Sequence, residues 1–175
     1  MADESQAKGV ARAEADGRRR RGDRARSAIL GRAIQIASTE GIEGLTLGRL
    51  AADLGIGKAN ISVLFGDKET LKLKTLDAAV DVFIETVVRP HATIGSPLGR
   101  LRAWCGAWFD YVEARVLPGG CMLHAASSEY RARPGVMQDR VRQHRDAWRR
   151  LLTGAAREAL AARELRQADA EQLVF

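Results

Sequence analysis

Apolar side chains recur at intervals of three and four residues along most of this chain, which is the spacing of one face of an α-helix. No stretch shows the alternating pattern of a β-strand. Four sets of mostly apolar positions are expected to face inward: Ile29, Ala33, Ile36 and Ala37; Leu73, Leu76, Val80, Phe83 and Val87; Leu98, Leu101, Cys105, Trp108 and Val112; and Met137, Val141, His144, Trp148, Leu151 and Ala155. The sequence therefore predicts an all-α protein.

Capping residues and helix breakers set the ends of the predicted helices. Gly41 is expected to close the first long helix, and Pro90 to follow the end of the second. Thr46 and Asp67 are good N-caps, because their side chains can accept backbone N–H groups of the next turn. Three short helices are predicted, at 47–54 with Gly55 as its end, at about 57–64 and at about 121–130.

Residues 1–23 show no apolar periodicity and include four consecutive arginines at 18–21. A segment without an apolar face cannot bury surface in a core, so we expect a disordered basic arm. Such an arm can follow DNA phosphates, or it can be a solvated tail without a partner.

Charge and composition narrow the classes of function. The net charge of +6 and a pI of about 9.9 favour a polyanionic partner, of which nucleic acid is the commonest. Two cysteines are too few for a disulfide framework. No apolar run reaches the roughly 18 residues of a membrane span, and the N-terminus lacks the apolar core of a secretion signal. We therefore expect a soluble, cytoplasmic protein.

Residues 50–64 fit a helix-turn-helix at each position where packing is demanding. Ala51 must be small because the second helix crosses close to it, and Gly55 can adopt the positive φ of the tight turn. The small core of the unit is supplied by Leu50, Leu54, Ile56, Ile61 and Leu64. The outward positions of the second helix, small or polar enough for a major groove, are Lys58, Ala59, Asn60, Ser62 and Val63. The alternative is an ordinary helical hairpin with a solvated face.

The flanking motifs resemble those of TetR-family transcriptional regulators. The first helix carries Ile29-Leu30-x-x-Ala33, and Gly44-Leu45-Thr46 precedes the helix-turn-helix. The motif Phe-x-Asp-Lys-Glu-x-Leu follows it at residues 65–71. The resemblance is tight over about residues 24–75 and looser downstream. It implies an N-terminal helix-turn-helix domain of three helices followed by an α-helical ligand-binding and dimerisation domain.

The resemblance also implies roles for individual residues. The DNA-contacting set is expected to be Thr46, Lys58, Ala59, Asn60, Ser62, Val63 and Lys68. Within it, Thr46 and Lys68 look like phosphate contacts, which fix register without reading sequence. Asn60 can bond an adenine edge. Ser62 stands where the family commonly has Tyr and Gly57 where it commonly has Ser, so the operator sequence is not predicted.

Family members usually bind a small hydrophobic ligand that relaxes DNA affinity. The aromatic and polar residues expected to contact such a ligand here are Trp104, Trp108, Tyr111, Cys121, His124 and Tyr130, which could equally fill a core. Cys121 and His124 lie one helical turn apart, but a metal site needs further ligands, so a structural role is favoured and neither a metal nor a cofactor is expected. No catalytic motif is evident, so the chain is not expected to be an enzyme.

These expectations divide the chain into a basic arm (1–23), a DNA-binding domain (24–70) and a helical regulatory domain (71–175). The predicted function is a transcriptional regulator, most simply a repressor, that binds double-stranded DNA at an inverted-repeat operator and is released by a small-molecule effector. The family dimerises through two final helices, and residues 169–175 look like the start of the first, so a weak or non-standard homodimer is expected. The alternative is a helical interaction protein that has lost operator binding.

Overall fold

The computed structural model describes the backbone of residues 2–165 and the side chains of residues 16–165 except residue 18. This part of the chain forms seven α-helices and contains no strand. They are α1 (Ala2–Glu40), α2 (Leu47–Leu54), α3 (Lys58–Phe65), α4 (Lys68–Phe83), α5 (Pro97–Glu113), α6 (Met122–Glu129) and α7 (Val136–Ala161). The all-α prediction is confirmed. No helix in the described residues is long and apolar enough to cross a membrane.

Two clusters of buried apolar side chains organise the helices. The N-terminal cluster joins α1, α2, α3 and the first turn of α4; its buried members are Ile29, Ala33, Ile36, Leu45, Leu50, Ala51, Ile61, Phe65 and Leu71. The larger cluster joins α1 and α4 to α5, α6 and α7. Because Ile34 and Ala37 of α1 belong to the larger cluster, α1 packs into both. The helix-turn-helix is thus fixed to the rest of the molecule by shared helices.

The structure differs from the predicted disordered arm. The helix α1 begins at Ala2, whereas apolar periodicity placed its start near residue 24. The segment is rich in Ala and Arg, which favour helical backbone. Ion pairs at i,i+3 join Asp16 to Arg19 and Asp23 to Arg26, both at 3.4 Å. The lack of apolar periodicity therefore did not exclude helical backbone.

The end of α4 is less abrupt than the position of Pro90 suggests. The chain continues as a π-helical turn at Ile84–Val88 and a 3₁₀ turn at Arg89–His91. Proline has no N–H to donate to the preceding turn, which accounts for the change of helical pitch. The indole N–H of Trp104 donates to the Val88 carbonyl at 3.0 Å, and His91 Nδ1 lies 3.0 Å from the Val87 carbonyl. Side chains thus bond two carbonyls at this helix end.

The buried face of α5 is rotated from the predicted one, whereas the buried face of α7 agrees with the prediction except at Leu151. Val112 of α5 and Leu151 of α7 are 39% and 42% exposed. The buried residues of α5 are instead Trp104 and Tyr111. The buried residues of α7 include the predicted Met137, Val141 and Ala155, together with Gln138, Thr153, Ala156 and Ala159. The small buried side chains of α7 let α5 and α7 approach each other closely. The imidazole of His144, one of the expected inward positions of α7, lies with Nε2 2.8 Å from Asp77 Oδ1 on α4.

The loop between α5 and α6 touches the end of α1 at Gly119. A Cβ atom at this position would lie 1.5 Å from the Ser38 carbonyl oxygen and 2.3 Å from the Ser38 carbonyl carbon. Both contacts are with backbone, so a side chain cannot be accommodated by a change of rotamer. Gly119 therefore allows the loop between α5 and α6 to lie directly against the end of α1.

We expect Gly119→Ala to destabilise the protein by about 1–3 kcal/mol, as overpacking does, because α1 and the loop must separate. The measurement is the denaturant midpoint of unfolding. Gly106→Ala, at an exposed position of α5, is the matched control, since a Cβ there meets nothing within 4 Å. The control should gain roughly 0.5–1 kcal/mol from helix propensity. Equal midpoints for the two variants would contradict the close contact.

Candidate functional site

The turn between α2 and α3 has the local geometry of a helix-turn-helix. Thr46 is the N-cap of α2, and its hydroxyl accepts the Arg49 N–H at 3.1 Å. Gly55 ends α2 with φ 64°, in the left-handed region that glycine enters at little cost. The Ile56 N–H donates to the Ala51 carbonyl at 3.0 Å and closes the turn. The predicted cap and turn are both confirmed.

The two faces of α3 are clearly separated. Ile61 is fully buried against Leu50 and Ala51 of α2, and Leu54, Ile56 and Leu64 pack around them. On the other face Lys58, Ala59 and Asn60 are exposed, and Val63 is 83% exposed. Ser62 is half-buried between the two faces. An exposed valine beside small polar residues is available to contact a base edge or a thymine methyl.

Two residues of the expected DNA-contacting set, Thr46 and Lys58, lie close to Gly48. A Cβ placed on Gly48 would lie 3.4 Å from Lys58 Nζ and 4.0 Å from Thr46 Oγ1. Gly48 therefore leaves room for the lysine to lie across the first turn of α2. A cation and a hydroxyl at the N-terminal ends of α2 and α3 suit a phosphate, which the helix dipoles also favour.

Lys68 opens α4 and is exposed next to the N-cap Asp67. The Asp67 carboxylate accepts the Thr70 N–H at 2.7 Å, which holds its pKa below the usual range. The carboxylate is thus committed to the helix end. The ammonium group of Lys68 lies beyond that cap, on a side chain exposed to solvent.

Arginines of this region are tied to carboxylates. Arg32 of α1 contacts Asp53 of α2 at 2.6 Å, and Arg49 contacts the same carboxylate at 3.3 Å. The hydrogen bond from Arg32 is the main cause of the lowered pKa of Asp53. These arginines brace α1 against α2, which leaves the lysines as the better candidates for phosphate contacts.

A polar junction links α6 to the loop between α1 and α2. The Glu129 carboxylate accepts the N–H groups of Ile42 and Glu43, both at 2.9 Å. Glu43 in turn accepts the Tyr130 hydroxyl and pairs with Lys72 of α4 at 2.6 Å. Lys72 is buried, so this ion pair is largely shielded from solvent on the lysine side. The helix-turn-helix is therefore joined to α4 and to the end of α6.

The expected ligand residues divide between three surroundings. Trp108, Cys121 and His124 line one cavity of about 220 Å³ between α4, α5, α6 and α7. Trp104 and Tyr111 lie outside it as core residues, 5% and 2% exposed, because the buried face of α5 is rotated from the predicted one.

Tyr130 also lies outside this cavity. Its hydroxyl contacts Glu43 at the junction, and both burial and that contact raise the pKa of the phenol far above its usual value.

The cavity also contains residues that the sequence analysis did not single out as ligand contacts. They are Phe83, Leu123, Ser127, Arg145 and Trp148. Phe83 and Trp148 were expected as inward positions of two different helices. Aromatic residues on the inward faces of two helices were therefore the sequence feature that could have indicated this cavity. Arg145 carried no signal, since arginine is abundant throughout the chain. Among the described residues, no three His, Cys, Asp or Glu side chains are placed to hold a metal ion.

Residues 97–175 match the family described as tetracyclin repressor-like, C-terminal domain. A search of the curated proteins found no match. The fold is similar to a TetR transcriptional regulator from Chloroflexus aurantiacus J-10-FL, with 25% identity over 89% of this chain and 79% of that chain and a TM-score of 0.81.

Two further similar structures contain ligands. A putative transcriptional regulator from Saccharomonospora viridis in complex with choline has 21% identity, covers 87% of this chain and 78% of that chain, and gives a TM-score of 0.74. AibR, in complex with isovaleryl coenzyme A and operator DNA, has 22% identity over 86% of this chain and 80% of that chain, with a TM-score of 0.71. The comparisons confirm the resemblance to TetR-family regulators.

The junction should make stability depend on pH. The hydrogen bonds from Lys72 and Tyr130 lower the pKa of Glu43 below the ordinary glutamate value of 4.5. Their contribution is present above about pH 4.5 and is lost as the pH falls through the lowered, folded-state pKa. Glu43→Gln should therefore unfold at a lower denaturant concentration at pH 7, and the gap to the native protein should narrow by pH 3.

The measurement is the denaturant midpoint at each pH. Glu113→Gln, at an exposed position at the end of α5, is the matched control and should follow the native curve. A gap between Glu43→Gln and the native protein that stays constant from pH 7 to pH 3 would contradict the assignment.

Proposed function

We propose that this chain, which has the TetR-family fold and a tetracyclin repressor-like C-terminal domain, is a DNA-binding transcriptional repressor released by a small molecule. The observation that carries the proposal is the second face of α3. A helix of eight residues that is anchored by buried Ile61 and Phe65 leaves its other side small, polar and exposed. That is the requirement for a helix that must enter the major groove of double-stranded DNA.

The residues around α3 have separable roles in this proposal. Thr46, Lys58 and Lys68 contact phosphates and set the position of the helix on the duplex. Asn60 reads an adenine through its two-pronged amide, and the exposed Val63 meets a thymine methyl. The protein acts as a homodimer, and its two copies of α3 read an inverted repeat with half-sites about 34 Å apart.

The effector occupies the cavity lined by Trp108, Cys121 and His124. AibR is crystallised with a coenzyme A thioester and operator DNA, and the S. viridis protein with choline, which supports a small-molecule response in this fold. The helix α6 lines the cavity with Leu123, His124 and Ser127 and ends at Glu129 of the polar junction. A ligand that displaces α6 therefore shifts the loop before α2 and weakens operator binding.

The proposal is tested by selection from a pool of random DNA duplexes with the purified chain at near-physiological salt. Enrichment of an inverted repeat is the expected result. Retention of duplexes without a shared motif, lost as salt rises, would mean that charge acts alone and would favour an interaction protein that keeps the fold.

Substitutions at the interface should separate base reading from phosphate contact. Asn60→Ala is expected to weaken binding to the selected operator by about tenfold or more and to relax the preference at one base pair, since a bidentate contact contributes about 1–3 kcal/mol. Lys68→Ala should weaken all sequences alike and reduce the salt slope by about one.

The readout is a titration with fluorescent duplexes at several salt concentrations. Lys74→Ala, at an exposed position further along α4, is the matched control for the loss of one lysine. If Lys74→Ala had the effect of Lys68→Ala, the phosphate contact would be a matter of net charge, and the assignment of Lys68 would fail.

A further inference from the structure

The cavity between α4, α5, α6 and α7 has an aromatic interior and a basic edge. Phe83, Trp108 and Trp148 form its walls, and the Phe83 and Trp148 rings meet edge to face at 5.1 Å. Arg145 is the one residue of permanent charge among its lining side chains, and no carboxylate lines it. A flat apolar group of a ligand can pack against the three aromatic rings, and the charge at the edge of the cavity is the positive charge of Arg145.

A second cavity of about 220 Å³ adjoins the first along the seam between α6 and α7. Ser127 and Arg145 line both cavities, so the two are neighbours with a common wall. The remaining lining residues of the second cavity are Tyr130, Arg131, Gln138, Val141 and Arg142. It therefore has three arginines and, again, no lining carboxylate.

The arginines of the second cavity are available for a ligand. Within the described side chains of residues 16–165, the ion-pair partner of Arg145 is Asp146 alone, at 3.5 Å. Among the residues that the structure describes, no carboxylate oxygen lies within ion-pair distance of the Arg131 or Arg142 guanidinium groups. The amide of Gln138, by contrast, is committed, since it donates to the Tyr130 and Arg131 carbonyls at 2.8 and 2.9 Å. The polar groups of this cavity that remain available to a ligand are thus the cationic guanidinium groups.

We propose that the effector is an amphipathic organic anion, with a compact apolar group in the aromatic cavity and an anionic group on Arg131, Arg142 and Arg145 in the adjoining one. This inference rests on the proposed function, which places the effector in the first cavity. Aromatic walls alone would also suit a quaternary ammonium ion. Arg145, shared by both cavities, repels such a cation and attracts phosphate or carboxylate, to which guanidinium binds through paired hydrogen bonds.

The test is calorimetric titration of the full chain, without DNA, with probes that share one naphthalene ring. They are 1-naphthyl phosphate, 1-naphthoate, neutral 1-naphthol and cationic (1-naphthylmethyl)trimethylammonium, with inorganic phosphate as the anion without a ring. We expect an anionic probe to bind about tenfold or more tightly than naphthol and than phosphate alone, because a charge-assisted bond adds to ring burial. The order of phosphate and carboxylate identifies the anionic group.

Arg142→Gln combined with Arg145→Gln should remove the advantage of the anionic probe and leave naphthol binding unchanged. The matched control is Arg102→Gln. Arg102 is exposed on α5 and lines neither cavity, so this variant should bind the probes as the native chain does. Equal binding of naphthol and the anions, tighter binding of the cation, binding of free phosphate as tight as that of the naphthyl anions, no binding of any anionic probe, or an equal loss in Arg102→Gln would each overturn the proposal.

The titration contains no DNA, so its outcome is independent of the operator selection. If the anionic probes do not bind but an operator is selected, the proposal of an anionic effector fails, whereas the proposed regulator function stands. If no operator is selected but the anionic probes bind tightly, the proposed regulator function fails, whereas the ligand site formed by the two adjoining cavities stands.

Discussion

The two hydrogen bonds that Glu129 accepts from the backbone of Ile42 and Glu43 connect the regulatory helices to the DNA-binding helices. Both involve an ionised acceptor, and such bonds are stronger than neutral ones. They fix the loop that leads from α1 into α2, and so fix the point at which the helix-turn-helix begins. The close approach of Gly119 to the Ser38 carbonyl places the loop between α5 and α6 against the end of α1, just before the loop to α2.

The position of α3 follows from this junction. The helix α1 packs into both apolar clusters, and α4 runs from Leu71 in the first to Phe83 in the second. With two helices shared and the loop between α1 and α2 bonded to α6, the exposed face of α3 has a defined orientation relative to the cavity. The hydrogen bonds and packed side chains thus form a continuous connection between α6 and the exposed face of α3.

Local features of the fold were predictable from the sequence because they depend on neighbouring residues. The caps at Thr46 and Asp67, and the turn at Gly55, are short-range arrangements that the residue types dictate. The buried face of α5 was not predictable, since Trp104, Trp108, Phe109 and Tyr111 surround the helix and leave its apolar periodicity ambiguous. In the structure Phe109 is 66% exposed and Trp104 is buried.

Long-range contacts were missed for a different reason. Glu129 and Ile42 are 87 residues apart, and neither residue type indicates the other as its partner. Tyr130 was expected to contact a ligand because it is aromatic and polar, but its hydroxyl is committed to Glu43 across the junction. The arginines of the α6–α7 seam could not be told apart from the many others in the sequence. Tertiary structure alone places them beside an aromatic cavity.

Amide hydrogen exchange of Ile42 and Glu43 measures whether Glu129 holds the loop before α2. In the native chain both amides should be protected. In Glu129→Ala both should exchange about tenfold or more faster, while the amides of α7 keep their native protection. Unchanged protection at Ile42 and Glu43 in that variant would show that other contacts hold the loop and that Glu129 does not.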